Sequence, residues 1–296
     1  MNSASDNTEF LTTKEVAELL RIKERKLYDL VSAQEIPCVK ATGKLLFPKA
    51  ELMHWIRTGE LNAGNSATNV RPNVVAGSHD PLLEWAIRES GCGLAMQFDG
   101  SLSGLDVFEN NGAVATGLHV PNPNAPVWNI HAVQTRFAKN NVVLLRWAIR
   151  EQGLIVAKGN PKKISDVSNL AALKVATRQA GAGGMILFEQ LLREKNLNLA
   201  QLNVAENCRT ENDTIAAVAS GKADAAPGLK ALALQFGLGF VPTRQENFDL
   251  MVCRKAWFEP PFQTLIQFTA SDAFRKKAQA FEGYDTTALG TVIWNA

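Results

Sequence analysis

From Pro72 to the end of the chain, short β-type runs alternate with helical patterns, and this alternation constrains the fold more than any other feature. NVVAGS precedes DPLLEWAIRES, GLAMQF precedes SLSGLDVFENN, and GAVATGLHV follows. LIVAKG leads to a loop and a helix start, KVAT leads into GGMILFEQLLREK, and NDTIAAVASG precedes KADAAPGL. Strands alternating with helices call for α/β architecture with mostly parallel sheets. GAVATGLHV (112–120) and GKADAAPGL (221–229) each follow a helical pattern ending in Gly, and each continues as a small-residue strand. Two similar α/β lobes would produce that echo, as would chance among small residues.

Ahead of this region lies GELNAGNSATNVR (59–71), rich in Gly, Asn, Ser and Ala and almost without apolar periodicity, which reads as a linker. The expected division is a disordered N-terminus over 1–9, a small module over 10–58, a linker over 59–72 and a large module over 73–296. At 296 residues, two or three compact units fit. With 46% hydrophobic and 20% charged residues the composition is globular. A net charge of only +2 confines any polyanion-binding surface to a local basic patch. No apolar run approaches the length of a membrane span. MNSASDNTEF has neither a basic n-region nor an apolar h-region, so a cytoplasmic protein with no membrane contact is expected. Cys38, Cys92, Cys208 and Cys253 are scattered, with no His at metal-ligand spacing, so neither a metal site nor a cofactor is expected.

In the small module, Thr12 and Glu15 stand at capping-box spacing before LTTKEVAELL turns helical, with Val16, Leu19 and Leu20 as its inward face. After a short break, ERKLYDLVSA repeats the spacing with Leu27, Leu30 and Val31. Two short helices joined by so small a turn form a helix-turn-helix. IPCVKATGKLLFP reads as a hairpin turning at Gly43, and KAELMHWIR as a third helix with Leu52, Trp55 and Ile56 inward. LTTKEVAELL, K-x-R-K-L-Y, IP, the basic Gly-containing wing and F-P-K-A-E-L-x-x-W-I together resemble the excisionase-like winged helix-turn-helix DNA-binding family. On that reading the second helix enters the major groove of double-stranded DNA with Lys23, Arg25, Lys26 and Tyr28, while Lys40 and Lys44 on the wing meet phosphate. A solvated basic face of a protein-interaction module is the alternative.

In the large module, Ser78, His79 and Asp80 are adjacent, whereas a nucleophilic triad must converge from separate places. Local capping by Ser78 or Asp80 before Pro81 suits them better. No catalytic constellation is apparent, so the chain is not read as an enzyme. The loop after KVAT carries Gly181 and Gly183 but Ile186 where a dinucleotide fingerprint needs a third glycine. Three strand-to-helix junctions nevertheless offer hydroxyls or amides: Ser78, Ser101 with Ser103, and Arg178 through Gly184. Such junctions gather at the carboxyl ends of strands, where converging helix N-termini favour an anion.

VVAGSHDPLLEWA, DGSLSGLDVFENNGAVATGLHV, IREQGLIVAKGNPKKISDVSNLA, KVATRQAGAGG, AAVASGKADAAPGL, GFVPTRQENFDLMVC and FEGYD, in that order, resemble the periplasmic-binding-protein superfamily in its molybdate-binding-like branch. The resemblance implies an α/β chain built of an N-terminal winged helix-turn-helix plus a two-lobed type II periplasmic-binding-protein-like domain. Lobe 1 would span about 73–152 and 249–296, lobe 2 about 153–248, with the ligand between them. Ser78, Ser101, Ser103 and Arg178 are the leading ligand-binding candidates. The resemblance adds His119, Asn129, Gly183 and Tyr284. Where the family pattern has an R-x-x-G-S-G-T-R-like loop, this chain reads RQAGAGGM (178–185), without the hydroxyls or the second arginine. An organic anion with an apolar part therefore stands beside molybdate or tungstate as the candidate effector.

A DNA-reading module joined to a ligand-binding module implies a one-component transcriptional regulator. A homodimer is expected, since paired half-sites raise affinity and specificity. A small-molecule enzyme with a DNA-binding appendage and an excisionase-like architectural factor are the alternatives.

Overall fold

A computed structural model describes residues 9–33, 35–41, 43–58, 71–122, 125 and 127–296. The expectations for residues 1–8 and for the linker over 59–70 lie outside the described residues. The chain forms two compact units, Met1–Val70 and Arg71–Ala296.

The first unit runs β1 (Phe10–Thr12), α1 (Thr13–Leu20), α2 (Glu24–Ser32), β2 (Val39–Ala41), β3 (Lys44–Pro48) and α3 (Lys49–Thr58). Thr12 and Glu15 close the capping box: the Glu15 carboxylate accepts from the Thr12 amide at 2.7 Å, and the Glu15 amide donates back to the Thr12 hydroxyl at 3.4 Å. Arg21 ends α1 in the left-handed conformation, φ 54°, which turns the chain sharply into α2. Both β1 and β2 pair antiparallel with β3. Val16, Ala17, Leu27, Ile36, Phe47 and Leu52 form the core.

Two inward assignments fail. Leu19 is 46% exposed, because the buried face of α1 centres between Val16 and Ala17, and at 3.6 residues per turn Leu19 falls outside it. Ile56 is 43% exposed in the last turn of α3, while Leu52 one turn earlier is buried and the adjacent Trp55 is half-buried.

The second unit opens with β4 (Val74–Gly77), α4 (Pro81–Ser90), β5 (Ala95–Phe98), α5 (Ser101–Glu109), β6 (Ala115–Leu118), α6 (Ile130–Phe137) and β7 (Val142–Val156). It continues with β8 (Lys174–Arg178), α7 (Gly183–Glu194), β9 (Asn203–Cys208), α8 (Glu211–Ala219), β10 (Ala225–Leu229), α9 (Lys230–Gln235) and β11 (Gly239–Cys253). It ends with α10 (Arg254–Trp257), α11 (Pro260–Thr269), α12 (Asp272–Ala280), β12 (Tyr284–Asp285) and β13 (Val292–Asn295).

The sheet order is β5-β4-β6-β11-β7-β10-β8-β9, with β12 and β13 also on β7. Within it, β4 is parallel to β5 and β6, and β8 is parallel to β9 and β10. The two 15-residue strands β7 and β11 pair antiparallel along their lengths, from Gly239–Val156 to Cys253–Val142. β6 lies antiparallel on β11 and β10 antiparallel on β7. The order β4-α4-β5-α5-β6 thus recurs as β8-α7-β9-α8-β10. The echo between GAVATGLHV and GKADAAPGL is a structural one, since β6 and β10 hold equivalent places.

Strands buried on both faces, such as ATGL and AAPGL, explain why these segments read as unbroken small apolar runs. One lobe packs Leu82, Leu83, Trp147, Phe248, Phe262 and Phe274 into its core, and the other packs Leu154, Met185, Phe188 and Leu192. Among the described residues, no helix is long and apolar enough to cross a membrane.

Candidate functional site

A cavity of about 140 Å³ lies between the two lobes. Lobe 1 lines it with Ser78 and His79 from the β4–α4 loop, Phe98 and Gly100 from β5–α5, and His119 after β6. Lobe 2 lines it with Arg178, Ala182 and Gly184 around the β8–α7 loop, and with Arg209, Thr210, Glu211 and Asn212 around β9–α8. The start of α4 is capped by Asp80, and that of α8 by a Thr210–Asp213 capping box. α5 and α7 begin at Gly100 and Ala182 with no side-chain cap. Their first amides are therefore available to an anion. The Ser78 and Ser101 hydroxyls are 2.8 Å apart, and Ser101 Oγ also accepts from the His119 amide at 3.2 Å.

The lobes touch around this space. A Cβ on Gly100, which has φ +107°, would meet Ala182 Cα and Gly181 O at 3.3 Å. A Cβ on Gly183 would stand 2.6 Å from the His119 ring. At the rim, Arg209 Nη2 reaches Asp99 Oδ1 at 3.1 Å. Asp99 and Arg209 occupy corresponding positions in the two lobes, each just after the second strand of its repeat.

Beneath the lobe 1 wall runs a fully buried chain of charge. Arg150 on β7 donates to Asp80 Oδ2 at 2.9 Å and to Glu246 Oε1 on β11, and its guanidinium lies 4.3 Å from the Phe248 ring centroid. Asp80 also accepts from Trp147 Nε1 at 3.0 Å and from the Tyr284 hydroxyl at 2.7 Å. Glu246 accepts from Gln152 at 3.1 Å and pairs with His119 Nδ1 at 2.7 Å. Burial alone would raise the Glu246 carboxyl, but Arg150 and His119 overcome it and hold it at about 2. Burial and the Asp80 carboxylate push the Tyr284 phenol well above its ordinary range. The network ties both long strands to His119, the residue against which Gly183 packs.

The sequence candidates divide accordingly. Ser78, His119 and Arg178 line the cavity, and Ser101 supports it through Ser78. Ser103 sits in a separate open depression beside Asp99 and Gln179, because two residues along a helix turn a side chain away from its neighbour's face. Both ends of the Asn129 amide are engaged, accepting from the Val120 amide at 2.6 Å and donating to Asp249 at 2.8 Å. Tyr284 is held on Asp80 and borders another surface depression. Gly183 contributes close approach. The loop after β9 went unnoticed in the sequence. Its signal is the T-x-x-D box of Thr210 and Asp213, another capped strand-to-helix junction.

In the first unit, Lys23 precedes α2, Arg25, Lys26 and Tyr28 lie on its exposed face, and Lys40 and Lys44 flank the β2–β3 turn. The charged groups among them make no ion pair with any described residue, as suits side chains that meet phosphate.

A PBP superfamily domain model matches residues 84–270, and a helix-turn-helix domain model matches residues 10–60. The uncharacterized protein YvgK of Bacillus subtilis (strain 168) is 25% identical over 310 residues, covering 97% of this chain and 99% of that protein. An uncharacterized protein from the ferredoxin 2Fe-2S gene 5′ region of Clostridium pasteurianum is 26% identical over 90 residues, 30% of this chain and 80% of its own length. Among solved structures, a Clostridium perfringens substrate-binding protein assigned to a phosphate ABC transporter, with bound phosphate, aligns at TM-score 0.54 and 12% identity. That alignment covers 72% of this chain and 98% of that one, and it shows a shared fold.

Proposed function

We infer the function from two findings: the chain belongs to the PBP superfamily, and it carries a helix-turn-helix domain ahead of the PBP-like module. It is a ligand-responsive, one-component transcriptional regulator, working in the cytoplasm as a homodimer. The observation that carries this reading is the occurrence of both domains in one chain. The cavity supports a small anion as effector: two uncapped helix starts, Ser78, and the guanidinium groups of Arg178 and Arg209 border it. The same wall supports binding rather than catalysis. Ser78 has a serine hydroxyl, not a base, as its partner.

DNA is read by α2, with Arg25, Lys26 and Tyr28 toward the major groove and the wing lysines Lys40 and Lys44 on phosphate. The effector binds between the lobes and favours the closed form by its higher affinity for it, which is the only way a ligand shifts such an equilibrium. The DNA-binding units of the dimer respond to that shift.

Two measurements test this. An operator selected from a randomised duplex pool should bind the full chain and lose at least tenfold in affinity to the double variant Arg25→Ala/Lys26→Ala, with Tm unchanged. A thermal-shift screen with molybdate, tungstate, phosphate and small organic acids should then yield a stabilising ligand. That ligand should alter operator affinity or footprint. DNA binding that ignores both the variant and the ligand would sink the regulator reading, and turnover of the ligand would make the chain an enzyme.

A further inference from the structure

One carboxylate faces the ligand cavity with its hydrogen bonding incomplete. Glu211 opens α8 and is only 7% exposed. Its Oε2 is buried with no hydrogen-bond partner among the described residues, and its Oε1 lies 3.7 Å from Arg178 Nη1, beyond hydrogen-bond reach. The helix dipole at the start of α8 favours a negative charge there. None of its amides reaches Glu211 Oε2, however: the Asp213 amide is taken by the Thr210 hydroxyl and the Thr214 amide by the Thr210 carbonyl. An ionised carboxylate only accepts, and buried polar groups are paired in stable structures.

The charge around the cavity also argues against a fully deprotonated oxyanion. Arg209 is balanced by Asp99, and Arg178 faces Glu211 while donating to the Arg209 carbonyl at 3.0 Å. A dianion would meet no net positive side-chain charge on these four residues, and Glu211 would repel it. Phe98 and Ala182 offer apolar wall for a carbon skeleton.

We propose that Glu211 is a specificity-determining residue that accepts a hydrogen bond from the effector, which is a small organic acid carrying its own donor, a hydroxyl or an ammonium group. The inference rests on the cleft being the effector site. The acid's carboxylate lies toward Arg178 and the uncapped start of α7, and its donor lies toward Glu211. A ligand of the same shape without the donor leaves the carboxylate unpaired and loses about tenfold or more in affinity.

The test is calorimetric titration of the full chain with matched probes: lactate and alanine against propionate, malate and aspartate against succinate, and sulfate and molybdate as donor-free dianions. At least one donor-bearing acid should bind tenfold more tightly than its match and than either inorganic dianion. Glu211→Gln, which keeps the size but presents an NH₂ group, should erase or reverse that preference. The wild-type ranking needs no variant, so a poorly folding Glu211→Gln protein leaves the test intact. If propionate, succinate or molybdate binds as tightly as the donor-bearing acids, and Arg178→Ala abolishes that binding, the cleft stands and the role given to Glu211 is overturned. If no probe binds, or binding ignores both Arg178→Ala and Glu211→Gln, the cleft reading falls and this inference falls with it.

Discussion

The two lobes of the PBP-like module repeat one topology and use it for opposite chemistry. In lobe 1 the loops after β4 and β5 bring neutral groups to the cavity, Ser78 and Gly100, with Ser101 bonded behind them. In lobe 2 the loops after β8 and β9 bring Arg178, Arg209 and Glu211. Apart from Asp99 at the rim, the charges behind the lobe 1 wall lie below the surface, where Asp80, Arg150 and Glu246 are fully buried and paired with one another. Charge satisfied inside the protein fixes geometry, whereas charge left at the wall selects a ligand. On the proposed function, the same fold supplies one lobe as a rigid platform and the other as the discriminating face.

That contrast breaks most readily at Arg150. Arg150→Met leaves Asp80 and Glu246 buried without their cation and should cost about 3–5 kcal/mol in denaturant unfolding. A smaller loss would mean that the platform does not depend on its buried charges. Next comes acid sensitivity. Glu246 titrates at about 2 when folded, below its ordinary 4.5, so its contribution is complete above about 4.5 and is lost as pH falls toward 2. At about 1.4 kcal/mol per pH unit that is about 3 kcal/mol, seen as an acid limb that flattens in Glu246→Gln. Asp249 titrates in the other sense, since burial raises its carboxyl against the pull of Arg146 and Asn129, so the comparison is the difference between wild type and variant.

The lobe–lobe contact is probed by two substitutions on α7. Gly183→Ala drives a Cβ into the His119 ring and should weaken effector binding by roughly tenfold by disfavouring closure, while Arg193→Ala, exposed near the far end of the same helix, should leave affinity within about twofold. Equal effects would show that contact between the lobes is not what the ligand exploits. Least should come from Asp99→Asn. It removes an ion pair whose arginine is mostly exposed, so about 1 kcal/mol or less of closure is at stake, and the effect should fade in high salt.

How much of this was legible depended on whether the signal was local. The Thr12–Glu15 box, the strand–helix alternation and the Asp80 cap rest on neighbours in sequence, and each is present as read. Ser78, Ser101 and Arg178 were legible because junctions at the carboxyl ends of strands converge in this architecture. Ser101 and Ser103 could not be told apart without the rotation of α5. Arg209 and Glu211 escaped because RTEN looks like an ordinary capped helix start. The acidic partner of His119 is not legible in the sequence, since Glu246 reaches it through the β6–β11 pairing. A hint was present in LLRWAIREQGLIV, where Arg150 interrupts a strand otherwise rich in apolar residues. A charge in such a place needs a buried partner, but the sequence does not say which.

The paired β7 and β11 strands carry one further implication. Both run unbroken from one lobe into the other, and their register slips between Pro242 and Arg244 and again between Phe248 and Asp249. Irregularities of this kind concentrate twist. The lobes are therefore joined by a leaf spring rather than a free swivel. In the proposed switch, opening and closing wind or unwind a hydrogen-bonded ribbon, which gives the motion a preferred axis and a restoring torque, and an occupant of the cleft acts by holding that spring at one setting.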